Sequence, residues 1–211
     1  MGGNARSDYV LSNRVRRLPL PDPVGVAEVA ARLLAAHDAL SRRRLGTELL
    51  EILCGQAGIP APELVVPDDH QPHRRSGGRI VYSLQGEYRR RKPSANDPNV
   101  ARGGKPLGRI RVPNRTPARG DVVRSSAFLH TLLHEFCHHH DAFALGLKHS
   151  LHTAGFYARL RHLRSQVDPG PEIPSPRRRP PGRPGARRPR GAHPRGGRAL
   201  LAGLWSIIRR L

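Results

Sequence analysis

The spacing of apolar positions changes along this chain, and each change marks an element. From Val24 to Gly58, leucines at 33, 34, 40, 45, 49, 50 and 53 recur at helical intervals among Ala, Glu and Arg. That pattern predicts one long helix, or two with a break near Ser41–Gly46. Gly55, Gly58 and then Pro60 end it. Short β signals follow. Glu63-Leu64-Val65-Val66 lies between prolines, Arg79 to Leu84 alternates and can run on through Tyr88, and Arg109 to Val112 alternates again. Asp121 is suited to cap a helix that runs to Gly146. A second, shorter helix starts around Ser150–His152 and carries Phe156, Leu160 and Leu163 as its apolar stripe.

The flanks read differently. Residues 1–23 are polar, end in Leu20-Pro21-Asp22-Pro23, and are expected to be an arm. Residues 89–107 form a basic loop rich in Pro, Gly and Asn. Residues 169–211 are a Pro/Arg/Gly-rich stretch that cannot bury enough apolar surface to offset chain entropy, so a disordered tail is expected. Its final ALLAGLWSIIRRL is apolar enough for a terminal helix or a partner-binding peptide. Residues 24–168 are left as the folded domain. Helices on either side of short strands predict an α+β class.

Composition sharpens this. Of 211 residues, 37% are hydrophobic and 4% aromatic, with 22 Gly and 21 Pro, so not all of the chain can be core. The net charge is +21. From Pro174 to Leu211 there are 11 Arg and no Lys, Asp or Glu, so the preceding chain still carries +10. A basic chain of this kind attracts nucleic acid or other polyanions without reading sequence, and the Arg/Pro tail lacks the aromatic interleaving that base stacking needs. No apolar run is long enough for a membrane span, and the first residues do not resemble a signal peptide, so a cytoplasmic location is expected. Cys54 and Cys137 are too few for a disulfide framework and are expected to be free thiols.

The chemistry concentrates in one place. Eight of the 12 histidines lie between His130 and His162. Among them His134-Glu135-Phe136-Cys137-His138 is an H-E-x-x-H motif in the middle of a predicted helix. Residues four apart share a helix face, so His134 and His138 can present two imidazoles to one Zn²⁺. Glu135 lies about 100° round the helix and can lean over the open side of the metal. There it can take a proton from the metal-bound water and pass it to the leaving amine. Two histidines make a weak site. His152, opening a helix that folds back after Gly146, is the preferred third ligand, with His149 in reserve.

HTLLHEFCHHHD followed by His152-Thr153-Ala154-Gly155-Phe156 resembles the SprT-like zinc metallopeptidases, in which a third His opens the next helix with an aromatic residue four positions on. Thr153 stands where that family often has Gly. The resemblance covers roughly Ala61 to Gln166. It implies a zincin-like fold, a small sheet packed on the H-E-x-x-H helix with an N-terminal helix alongside. It also implies His134, His138 and His152 on zinc, Glu135 as general base, and a protein or peptide substrate. No Cys follows Cys137, so the C-terminal zinc ribbon of some members is absent from this chain.

The surrounding residues have alternative readings. His130 and Asp141 share the ligand face and can orient a ligand or simply line the cleft. His139 and His140 are expected at the surface, and Cys137 in the core. Tyr157, His149 and Arg159 are candidates to stabilise the oxyanion. The strand at Arg109–Val112 is either an edge along which an extended peptide pairs, or an interior strand. The expected activity is zinc-dependent hydrolysis of peptide bonds. The competing expectations are a basic nucleic-acid-associated protein with a structural metal site, and a peptidase fold kept for binding alone.

Overall fold

The computed structural model describes residues 3–91 and 107–167. The segment 169–211 and most of the basic loop lie outside the described residues. Among those described, the chain is a mixed α+β fold of five helices and two small sheets.

Residues 3–14, expected within an arm, form helix α1 (Gly3–Arg14), which packs on the last helix. The leucine-rich stretch is two helices, α2 (Pro23–Ala35) and α3 (Ala39–Ala57), broken at 36–38 rather than near Ser41–Gly46. The break falls there because Ala36 turns extended and the Asp38 carboxylate accepts from the Ser41 N–H at 2.7 Å, capping α3. Pro23 opens α2, where a missing N–H costs nothing. Gly58, left-handed at φ 65°, closes α3.

Strands β1 (Glu63–Val65), β4 (Glu87–Arg90) and β5 (Gly108–Arg111) form one sheet in the order β1-β5-β4, with β1 parallel and β4 antiparallel to β5. β5 is therefore interior, and β1 and β4 are the edges. Strands β2 (His73–Ser76) and β3 (Arg79–Ser83) make a separate hairpin. The expected run from Arg79 through Tyr88 is interrupted at Leu84–Gly86 and leaves one sheet for the other.

Helix α4 (Ser125–Phe143) starts later than expected. Asp121 does not cap it, since the Asp121 carbonyl accepts from the Thr116 N–H at 2.8 Å and Val122 bridges to Arg115. Buried Arg42 holds the approach to α4 instead. It donates to Asn114 Oδ1 and the Val123 carbonyl, both at 2.7 Å, and to Ser125 Oγ at 2.9 Å, with its guanidinium 5.0 Å over Phe128. Helix α5 (Ala154–Val167) begins after His152. α2, α3, α4 and α5 enclose one core against the three-stranded sheet, with Leu33, Leu49, Leu50, Phe128, Leu132, Phe136, Phe156 and Leu163 fully buried. Each such side chain contributes roughly 1.5–3 kcal/mol. Among the described residues, no helix is long and apolar enough to cross a membrane.

Candidate metal centre

α4 presents His134 and His138 one turn apart, and the loop that leads into α5 returns His152 to the same face. Their Nε2 atoms lie 3.0 Å (His134–His152), 3.0 Å (His138–His152) and 3.2 Å (His134–His138) apart. Three mutual contacts cannot all be hydrogen bonds. An Nε2 either donates or accepts, so at least one pair would be matched donor to donor or acceptor to acceptor. A cation among three lone pairs resolves this. A tetrahedral zinc with Zn–N bonds of about 2.0–2.1 Å sets its ligand nitrogens about 3.3 Å apart, within a few tenths of an ångström of the observed triangle. The donor set therefore fits a metal ion, and the three histidines form the one such group among the described residues.

Burial keeps these rings neutral, the form that ligates. The His134 imidazole is pushed down to about 4, first by burial and then by His152 and His130. Burial also lowers His138, with His134 and His152 adding to it, and lowers His152. Phe156, itself fully buried, is the floor of the site, with ring centroids 5.1, 4.7 and 5.1 Å from those of His134, His138 and His152. Thr153 Oγ1 accepts from the Phe156 N–H at 3.1 Å and so caps α5.

Glu135 is 7% exposed. Its carboxyl is pushed up to about 8, chiefly by burial and secondarily by Glu87, against a backbone hydrogen bond from Tyr88. The chain just before β4 passes directly over it: a Cβ on Gly86 would stand 2.7 Å from Glu135 Oε1.

The remaining candidates separate. His149 is exposed and outside the group; its backbone N–H donates to Asp8 Oδ2 at 3.0 Å. His130 is also exposed. Asp141 reaches the site through Ser150, as set out below. His139 and His140, expected at the surface, are buried. α4 has apolar neighbours on more than one side, and His139 bridges them, with Nε2 2.7 Å from the Pro60 carbonyl and Nδ1 3.2 Å from Tyr88 Oη. Cys137 is buried in the core, and both thiols are free. Of the oxyanion candidates, Arg159 is fully buried in structural bonds, while Tyr157 stacks on His152 at 5.8 Å.

Sequence reasoning missed Gly86 and Ser150. A glycine between strand patterns is a signal for close backbone approach, but a serine two residues before a ligand carries no pattern of its own. Comparison with family models, curated proteins and solved structures finds no match.

Proposed function

We propose that this chain is a zinc-dependent peptidase with a zincin-like domain, in which His134, His138 and His152 hold the metal and Glu135 moves the proton. The observation that carries this reading is the closed triangle of Nε2 atoms, 3.0–3.2 Å on a side, two of whose histidines share helix α4 with a buried glutamate. A zinc ion bound there supplies Lewis acidity, polarising the scissile carbonyl and lowering the pKa of water. Glu135 takes the proton of the attacking water at a carboxylate oxygen and returns it to the leaving amine. Burial raises its proton affinity in the metal-free protein, and a divalent cation nearby lowers it again, towards the ionised form that a base needs. β4, the edge strand next to Glu135 among the described residues, can pair with an extended peptide, the role that interior β5 cannot take.

Glu135→Gln is the test. It keeps the side chain's size and removes the base, so hydrolysis of an unfolded protein substrate should be abolished while about one zinc per chain is retained. Turnover that survives the substitution removes the mechanism. The competing reading, a basic nucleic-acid-associated protein with a structural metal site, draws on the β2–β3 hairpin. There Arg74, Arg75 and Arg79 are exposed and have no acidic partner among the described residues. It predicts salt-dependent retention on DNA that depends on these arginines, with no hydrolysis by the parent protein.

A further inference from the structure

One of the three ligands has its far ring nitrogen occupied. His138 Nδ1 lies 2.7 Å from Ser150 Oγ. The Ser150 hydroxyl in turn donates to Asp141 Oδ2 at 2.8 Å. Asp141 is fully buried, and so is its partner Arg159, whose Nη2 lies 2.8 Å from Oδ1 and 2.9 Å from Oδ2. The other Arg159 bonds go to α1 and the residue that follows it: Nη1 donates to the Ser12 carbonyl at 2.7 Å and to the Val15 carbonyl, and Nη2 to Ser12 Oγ at 3.1 Å.

The order of protons along this chain is determined. A carboxylate paired through both oxygens with a guanidinium is the acceptor of that ion pair. Ser150 has a single hydroxyl hydrogen and gives it to Asp141. The side of Ser150 Oγ that faces His138 is therefore a lone pair, and His138 Nδ1 must supply the N–H. A neutral imidazole protonated at Nδ1 carries its lone pair on Nε2, the atom turned towards His134 and His152.

We infer that Arg159, Asp141 and Ser150 form a relay that locks His138 in its metal-ligating tautomer, with Ser150 as the positioning residue that touches the ligand. The inference rests on the metal-centre reading for its consequence, though the tautomer itself does not need a metal. A histidine ligand loses freedom and gains basicity when its second nitrogen is hydrogen-bonded, and removing such a partner typically weakens metal affinity by about 10–100-fold. The relay also gives α1 a function. Asp8 and Asn13 accept from the backbone N–H groups of His149 and Gly155, each at 3.0 Å, so α1 grips both ends of the segment that carries Ser150 and His152.

The test uses the full-length chain, its Ser150→Ala variant and its Ser150→Thr variant, with two readouts. The first is imidazole nitrogen NMR of His138 in the metal-free protein, assigned through a His138→Gln variant. The parent should show a protonated Nδ1 and a bare Nε2. Ser150→Ala should give a tautomer mixture, and Ser150→Thr, which keeps the hydroxyl, should restore the parental state. The second is zinc affinity by chelator competition. It should fall about 10–100-fold in Ser150→Ala with the unfolding midpoint little changed, and recover in Ser150→Thr. A parental His138 protonated at Nε2, or a Ser150→Ala variant matching the parent in both readouts, overturns the relay. A parent with the locked tautomer but no zinc affinity leaves the relay standing and removes the metal-centre reading.

Discussion

Gly86 and Glu135 are in backbone-to-carboxylate contact: a methyl group at position 86 would lie 2.7 Å from Glu135 Oε1 and 2.5 Å from Thr131 Cγ2. The chain entering β4 thus sets where the Glu135 carboxylate can sit. Gly86→Ala should displace that carboxylate while leaving the three histidines on α4 and the α5 loop in place. The expected outcome is full zinc content with hydrolysis reduced by about 10–100-fold, because a misplacement on the order of 1 Å carries a cost of that size. Zinc analysis and steady-state kinetics on one preparation check it; unchanged kcat/KM would show that the carboxylate has room to spare.

The three-histidine cluster was legible because its geometry is local. His134 and His138 are tied by helical periodicity alone, and His152 follows once Gly146 is read as a turn. Elements whose meaning depends on distant partners were not. α1 hides because its inward face is polar. Asp8 and Ser12 are buried while Tyr9, Val10 and Leu11 are exposed, the reverse of the pattern that announces an amphipathic helix. His139 and His140 look like surface residues on a one-sided helix, and α4 is covered on several sides. The β2 strand, His-Arg-Arg-Ser and exposed throughout, has no apolar alternation to betray it. β5 became interior only through its pairing with both β1 and β4, which no local pattern specifies.

The Arg159–Asp141 pair should behave as a buried charge pair does. Arg159→Met strands the Asp141 carboxylate in the core, and unfolding in denaturant should show a loss of about 3–5 kcal/mol. Asp141→Asn added to it removes the stranded charge and should recover part of that loss. The coupling between the two substitutions, read from a double-mutant cycle, should be about 0.5–3 kcal/mol. Additive effects would mean that Arg159 acts only through its bonds to α1.

Both thiols should be silent in the native protein. Cys54 and Cys137 have no exposed surface, and burial pushes the Cys54 thiol up to about 12 and raises Cys137 still further, with Asp141 adding to the latter. A thiol that is neither ionised nor reachable does not attack a disulfide reagent. Titration with such a reagent should give no reaction in native buffer and both thiols after denaturation. Native reactivity at Cys137, which lies between His134 and His138 in sequence, would instead mark it as facing the three-histidine site.

Acid should act partly through Asp68. Its carboxylate accepts from Arg115 Nε at 2.9 Å and from Asn114 Nδ2 at 2.8 Å, and these bonds hold it below the usual carboxylate range, Arg115 contributing most. A carboxyl that binds its proton less tightly folded than unfolded stabilises the fold above its unfolded pKa. That contribution is lost as pH falls through the folded value. The pair is exposed, so the effect is modest and weakens with salt. Asp68→Asn should therefore lower the unfolding midpoint slightly at neutral pH. The gap to the parent should shrink as pH drops below the carboxylate range, and both differences should diminish at high ionic strength. A gap that stays constant with pH would mean that Asp68 contributes through its hydrogen bond with Asn114, and not through its charge.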